Sequence, residues 1–578
     1  MNRMLPWLSV LVLATSWSCS KGEQDPTKPA AEAPVTKKKD DALAKLLAKI
    51  PADSPYAFVS IEPMPEKILD KIFKIFEPMR AEIEKEIAAE LKGQATSDDP
   101  EEKIARALAE ELSGKISKAG FAELGVSTSP RWALYGVGLL PVVRVSLADA
   151  GKFKAMIGRI EAKSGQKAPT KKAGDQEYWW MTEDGATFIA AVVGNELVLA
   201  VTHDSMAQKT LPIIFGQTAP AKSLASAGTI DTLRKAHGYK SVGVGFVSFT
   251  GIADVVMGKS GGLNAETITA MGGQLPPLSP VCKTEIGAMV AKAPQMSFGY
   301  TEVTDTKWVS KATLDLDGAL AADLKGIVGS VAGLGDSSPA FMKFGVGLDL
   351  KKAIEFARKQ LANMAAKPFQ CELMAELNQG VTQGNLEFGA FAAQLPPFLM
   401  GVKGGNLVVT DADIASNNPT SVKGNMVLSV DQPAQMMTML KAMVPPLATV
   451  NVAPDGKPVK LTLPPGMLPP GIDPYIAMGD SGLGVAVGKG QEANIAKLVK
   501  AKGNNETFLA IGYDVGRFMQ GVNGQMAAMR AMLPAEAGAG ADPGEALTKA
   551  ISEVFGYTYS EVKFTEKGID FTQSIWLK

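Results

Sequence analysis

Short runs in which apolar and polar residues alternate recur along most of the chain, and a period of two is the signature of a strand with one buried face. Tyr178-Trp179-Trp180-Met181, a turn at Glu183-Asp184-Gly185, residues 187 to 193, a turn at Gly194-Asn195 and residues 196 to 201 predict three adjacent antiparallel strands. The tetrapeptide Phe-Gly-Tyr-Thr occurs at 298 to 301 and again at 555 to 558, and each copy opens a hairpin pattern. The first continues into Lys307 to Leu314; the second turns at Glu566-Lys567-Gly568 and leaves through Ile569 to Leu577. Residues 67 to 124 follow a different rhythm. Charged runs such as Glu82-Ile83-Glu84-Lys85-Glu86, punctuated by Pro78 and Gly93, predict a long helical insert over about 64 to 124 with one solvated face.

The patterns repeat in the same order in both halves. Residues 54 to 61 match 338 to 346. Val143 to Leu147 before a helical 150 to 160 matches Met426 to Val430 before 433 to 443. Leu197 to Val201 before 205 to 214 matches Leu483 to Val487 before 491 to 500, and Val244-Gly245-Phe246 matches Ile511-Gly512-Tyr513. With the hairpins, these matched elements predict an internal duplication. The expected fold is α+β: two tandem lobes, 42 to 330 and 331 to 578, each a mainly antiparallel sheet with helices on one face.

Composition narrows the class. The chain has 578 residues, 46% of them hydrophobic and 21% charged, the balance of a folded protein. Lys and Arg number 59 against 60 Asp and Glu, and a net charge of -1 provides no field to gather nucleic acid. The N-terminus says more. Arg3, an apolar stretch from Leu5 to Ala14 too short to span a bilayer, and Ser16-Trp17-Ser18-Cys19 read as an export signal over 1 to 18. Cys19, at the first mature position, resembles the acylated cysteine of bacterial lipoproteins, with ordinary signal-peptidase cleavage as the alternative. Residues 19 to 41, rich in Pro, Ala, Lys and acids, predict an extended tether. Pro51-Ala52-Asp53-Ser54-Pro55, ahead of the strand from Tyr56 to Ile61, resembles the opening motif of a loose set of uncharacterised exported bacterial proteins, many of them lipoproteins. That resemblance implies an envelope location, periplasm-facing or at the outer membrane, and carries no activity.

With Cys19 acylated, Cys282 and Cys371 are left together in an oxidising compartment, and a disulfide between them closes a loop of about 90 residues; the alternative, a catalytic thiol, requires His203 or His237 nearby. Catalytic patterns are incomplete. Gly258 to Gly262 fits G-x-S-x-G through Ser260, but a helical run precedes it where a nucleophile elbow needs a strand. Gly479-Asp480-Ser481-Gly482 resembles a protease serine motif whose only companion is Ala236-His237, and His203 reads as part of a helix cap supplied by Asp204 or Ser205. Asp411-Ala412-Asp413 lacks the remaining ligands of a calcium loop, and Met526, Met529 and Met532, at a spacing that would suit Cu(I), read as core filling. No catalytic residue, metal or cofactor is therefore expected.

Binding has more support. Trp179 and Trp180 point to opposite faces of a strand, so one indole beside Tyr178 looks away from a helix-covered core, unless both faces of the sheet are covered. The Pro-rich stretch from 444 to 475, with Leu463, Met467 and Leu468, has a polar counterpart at 161 to 176; it reads as a lid or partner surface, or as a loop packed on its own lobe. The expected function is that of a lipid-anchored, non-catalytic envelope protein holding an apolar or envelope-derived ligand between its lobes. An assembly protein gripping another envelope protein is the alternative, and a hydrolase comes third.

Overall fold

The computed structural model describes residues 44–93, 99–183, 186–259, 263–270, 278–413, 421–463, 472–480, 482–521 and 543–578. The export signal, Cys19 and the tether lie outside the described residues. The chain divides into two compact units, one of residues up to 278 with 294–305, the other of 279–293 with 306–578.

Strands of the first unit are β1 (Tyr56–Ser60), β2 (Trp132–Val137), β3 (Leu140–Ser146), β4 (Thr170–Ala173), β5 (Gln176–Glu183), β6 (Ala186–Val193), β7 (Glu196–His203), β8 (Val244–Ser248) and β9 (Gln295–Val303). They pair in the order β4-β5-β6-β7-β3-β2-β1-β8-β9, every pairing antiparallel. The Pro51 to Pro55 motif seats β1: the Ser54 hydroxyl donates to the Gly136 carbonyl at 2.5 Å, and the Ser248 amide donates to the Pro55 carbonyl at 2.7 Å.

Helices cover this sheet on both faces, not on one. The insert supplies α1 (Glu66–Gly93), α2 (Pro100–Leu112) and α3 (Lys118–Glu123); beyond it come α4 (Ala150–Ser164), α5 (Ala207–Ile214), α6 (Leu224–Ala227) and α7 (Thr229–His237). Ile189, Ala191, Val198 and Ala200 pack with Leu211, Leu224 and Ile230 of α5 to α7 on one side. Val192 and Leu197 pack with Leu112, Phe121 and Phe153 of α2 to α4 on the other. Strands buried on both sides read as nearly continuous apolar runs, which is how residues 189 to 193 and 197 to 201 are written.

Two charged residues are buried inside this unit. Arg144 of β3 is almost wholly enclosed; its guanidinium donates to the Tyr135 hydroxyl at 3.0 Å, to Glu196 at 2.7 Å and to the Ile214 carbonyl. Lys49 joins Glu196 from the other side at 2.8 Å. Glu111 of α2 accepts from Arg159 of α4 at 2.5 and 3.0 Å and from Lys115 at 2.9 Å, fastening the insert to α4. The Arg159 hydrogen bond, helped by Lys115 and opposed by burial, holds its carboxyl down at about 2.

The second unit contains α8 (Pro280–Val290), β10 (Lys307–Asp315), β11 (Met342–Gly347), α9 (Leu350–Ala366), α10 (Ala375–Gln394), β12 (Val402–Ala412), β13 (Val422–Val430), α11 (Pro433–Met443), β14 (Val459–Lys460), β15 (Pro474–Gly479), β16 (Gly482–Val487), α12 (Gln491–Leu498), β17 (Thr507–Asp514), β18 (Phe555–Thr565) and β19 (Gly568–Leu577). Its order is β10-β19-β18-β17-β11-β12-β13-β16-β15-β14, again antiparallel throughout. This unit begins ahead of residue 331 for two reasons. β10 ladders with β19 from Lys307↔Trp576 to Asp315↔Gly568, and α8 is tied to the segment before α10 by the Cys282–Cys371 disulfide. From β11 outward the order β11-β12-β13-β16-β15-β14 follows the chain as β1-β2-β3-β7-β6-β5 does, and β17-β18 flank β11 as β8-β9 flank β1.

Candidate functional site

The second sheet leaves apolar side chains open to solvent on one face. In β11, Lys343, Gly345 and Gly347 are buried while Met342 and Phe344 are exposed, so the buried side of this strand is the one with small and polar residues. Ladder register places Ile511, Phe344, Leu407 and Met426 side by side across β17, β11, β12 and β13. Phe344 is 46%, Met426 46% and Ile511 39% exposed. Met342 lies opposite Tyr513, whose ring meets that of exposed Phe518 at 4.9 Å, and Phe571 of β19 is exposed on the same face. Together these side chains show on the order of 500 Å², a size at which apolar patches on soluble proteins are often functional. No charged group lies in the Ile511 to Met426 row, and beyond Met342 the Arg517 guanidinium stands 4.7 Å over the Phe341 ring.

The residues singled out as a ligand surface sit elsewhere. Tyr178 is buried against Phe215, with ring centroids 5.5 Å apart. Trp180 packs on the α5 to α7 side and Trp179 on the α2 to α4 side, each half-buried, because the sheet is covered on both faces. The Lys171 ammonium covers the Trp180 ring at 3.5 Å. Leu463 packs against the core formed by Met436, Leu461 and Ile476 of its own unit, whereas Met467 and Leu468 lie outside the described residues.

Several of the nucleophile and metal candidates lie outside the described residues, and the others have structural partners. Ser260, Ser481, Met526, Met529 and Met532 lie outside the described residues. His203 meets the Ser205 hydroxyl at 2.8 Å and its Nδ1 accepts the Ser205 amide, so the cap is the histidine itself, not Asp204 or Ser205; Asp204 accepts from Thr187 at 2.6 Å. His237 stacks on Tyr239 at 5.2 Å. Asp411 of β12 pairs with Arg517 at 2.7 Å and with Lys423 at 3.9 Å. Among the described residues, the one cluster with metal-ligand geometry is Cys282, Cys371 and Glu372. Its sulfurs are bonded to each other at 2.04 Å, which removes the thiolates a metal would need.

No family model, curated protein or solved structure matches the chain. Among the described residues no helix is long and apolar enough to cross a membrane.

Proposed function

We propose that this is a lipid-anchored, non-catalytic protein of a bacterial envelope that binds an apolar or envelope-derived ligand, and that the open face of the second sheet receives it. The observation that carries this reading is the uncharged row of Ile511, Phe344, Leu407 and Met426, in which all but half-buried Leu407 are exposed where a sheet of this kind is otherwise covered by helices. The export signal and Cys19 support the anchor, and the shared strand order of the two units supports an origin by duplication. An assembly role, in which the same face grips another envelope protein, is the second reading, because a sheet surface of this width suits a partner as well as an acyl chain.

Mass spectrometry of lipid extracted from natively purified protein tests the choice. Lipid should copurify with the wild type and be lost from a folded Phe344→Glu/Ile511→Glu variant. Absence of lipid from the wild type, with a photo-crosslinker at position 344 capturing a single envelope protein, would select the assembly role. Acyl-chain labelling should vanish in Cys19→Ala; label that persists in that variant would reject the anchor.

A further inference from the structure

The opposite face of the second sheet holds a cluster of hydrogen-bond donors. Lys343 lies in one cross-strand row with Gly512 and Tyr559. It is buried, and its Nζ donates to the Asp336 carboxylate at 2.8 Å, the Asp336 carbonyl at 3.0 Å and the Ser338 hydroxyl at 3.0 Å. Tyr557 and Tyr559 lean from β18 over Gly512: a Cβ on that glycine would stand 2.2 Å from the Tyr557 hydroxyl and 3.1 Å from the Tyr559 ring. A glycine is what allows the two rings to reach toward β11. Both tyrosines are 3% exposed, and neither hydroxyl has a hydrogen-bond partner among the described residues.

A buried hydroxyl without a partner gives up its hydration for nothing, so a pair of them marks a place where a further acceptor belongs. Burial, with the Asp336 carboxylate adding its negative charge, pushes the Tyr557 phenol up to about 12, and burial, with the Glu561 carboxylate beside it, raises that of Tyr559. Both therefore keep a proton to donate at neutral pH. The cluster thus offers an ammonium, a serine hydroxyl and two phenols as donors against the carboxylates of Asp336 and Glu561, the latter paired with Lys563 at 3.1 Å. The Asp336 carboxylate also accepts from the Ser338 hydroxyl at 2.7 Å and the Ser338 amide at 3.0 Å, and its side chain is 57% exposed.

We propose that Lys343, Ser338, Tyr557 and Tyr559 form a site for a small oxyanion, a carboxylate or inorganic phosphate, whose place on Lys343 is held in this structure by the Asp336 carboxylate. An oxyanion needs several N–H and O–H donors and a positive charge, and this set supplies an ammonium, a serine hydroxyl and two phenols around the row of Lys343, Gly512 and Tyr559. Asp336 acts as an internal competitor, so the site fills when the external anion displaces it.

Thermal unfolding of the full chain, with acetate or phosphate exchanged for chloride at constant ionic strength, tests this. The wild-type midpoint should rise with either anion. Asp336→Ala should show the same rise at about tenfold lower anion concentration, as expected when an internal competitor is removed. In Tyr557→Phe/Tyr559→Phe the anion-specific rise should be lost, while general salt effects, common to all three proteins, remain. If the double phenylalanine variant folds and responds like the wild type, or if neither anion moves Asp336→Ala beyond chloride, the proposal fails.

Discussion

Replacing Arg144 by methionine probes how the first unit tolerates charge in its core. The side chain makes three hydrogen bonds, to Tyr135, Glu196 and the Ile214 carbonyl. Methionine fills much of the volume, so the cavity contribution is small. Glu196 keeps Lys49 at 2.8 Å, and its charge is not stranded. What remains are the Tyr135 hydroxyl and the Ile214 carbonyl, both buried, each costing about 1 to 3 kcal/mol once unpaired. The sum is a loss of about 2 to 6 kcal/mol, a range that spans what breaking a buried ion pair costs. Tyr135→Phe alone should cost about 1 kcal/mol, and in Arg144→Met/Tyr135→Phe the hydroxyl no longer lacks a partner, so the double variant should recover about 1 kcal/mol relative to the sum of the singles. Urea unfolding of all four proteins, followed by tryptophan fluorescence, measures the cycle. An Arg144→Met variant within about 1 kcal/mol of wild type, or strict additivity in the double, would refute the argument that these buried groups depend on one another.

Two further outcomes follow from the structure. Glu111, with its folded carboxyl at about 2 against an unfolded value of about 4.3, contributes stability that is present above the unfolded value and lost as pH falls from there toward 2. Because Arg159 is 45% exposed, screening reduces this to about 2 kcal/mol. Urea midpoints measured between pH 5 and 2 should fall less steeply in Glu111→Gln than in wild type, and parallel curves would contradict the assignment. Cys282→Ala/Cys371→Ala should lose about 4 kcal/mol, the chain-entropy value for a closed loop of this length. Thiol titration of the unreduced, unfolded protein should find neither cysteine free.

The local elements were legible because their causes are local. Period-two alternation and the Gly194-Asn195 and Glu566-Lys567-Gly568 turns mark β5 to β7 and the closing hairpin β18-β19, and the charged runs mark the helical insert, although Pro78 does not interrupt it: α1 runs through that residue to Gly93. The Cys282–Cys371 bond was legible by elimination, given an exported chain. Alternation also separates the two faces of a strand, but it does not say which face is buried. In β3 and β11 the polar positions, Arg144 and Lys343, are the buried ones, and in β11 the apolar Met342 and Phe344 look outward. Arg144 can be buried because Tyr135, Glu196 and Ile214 arrive from other elements, and Lys343 because the loop carrying Asp336 and Ser338 folds over it. For the same reason Trp179 and Trp180 give no hint in sequence that helices lie over both of their faces. The chain by itself determined the strands, the turns, the cysteine pair and the order of the repeated elements, since each depends on residues near in sequence or few in number. Only the tertiary structure decided which face of each sheet is covered and which is left open, because burial is set by partners that the chain brings in from far away.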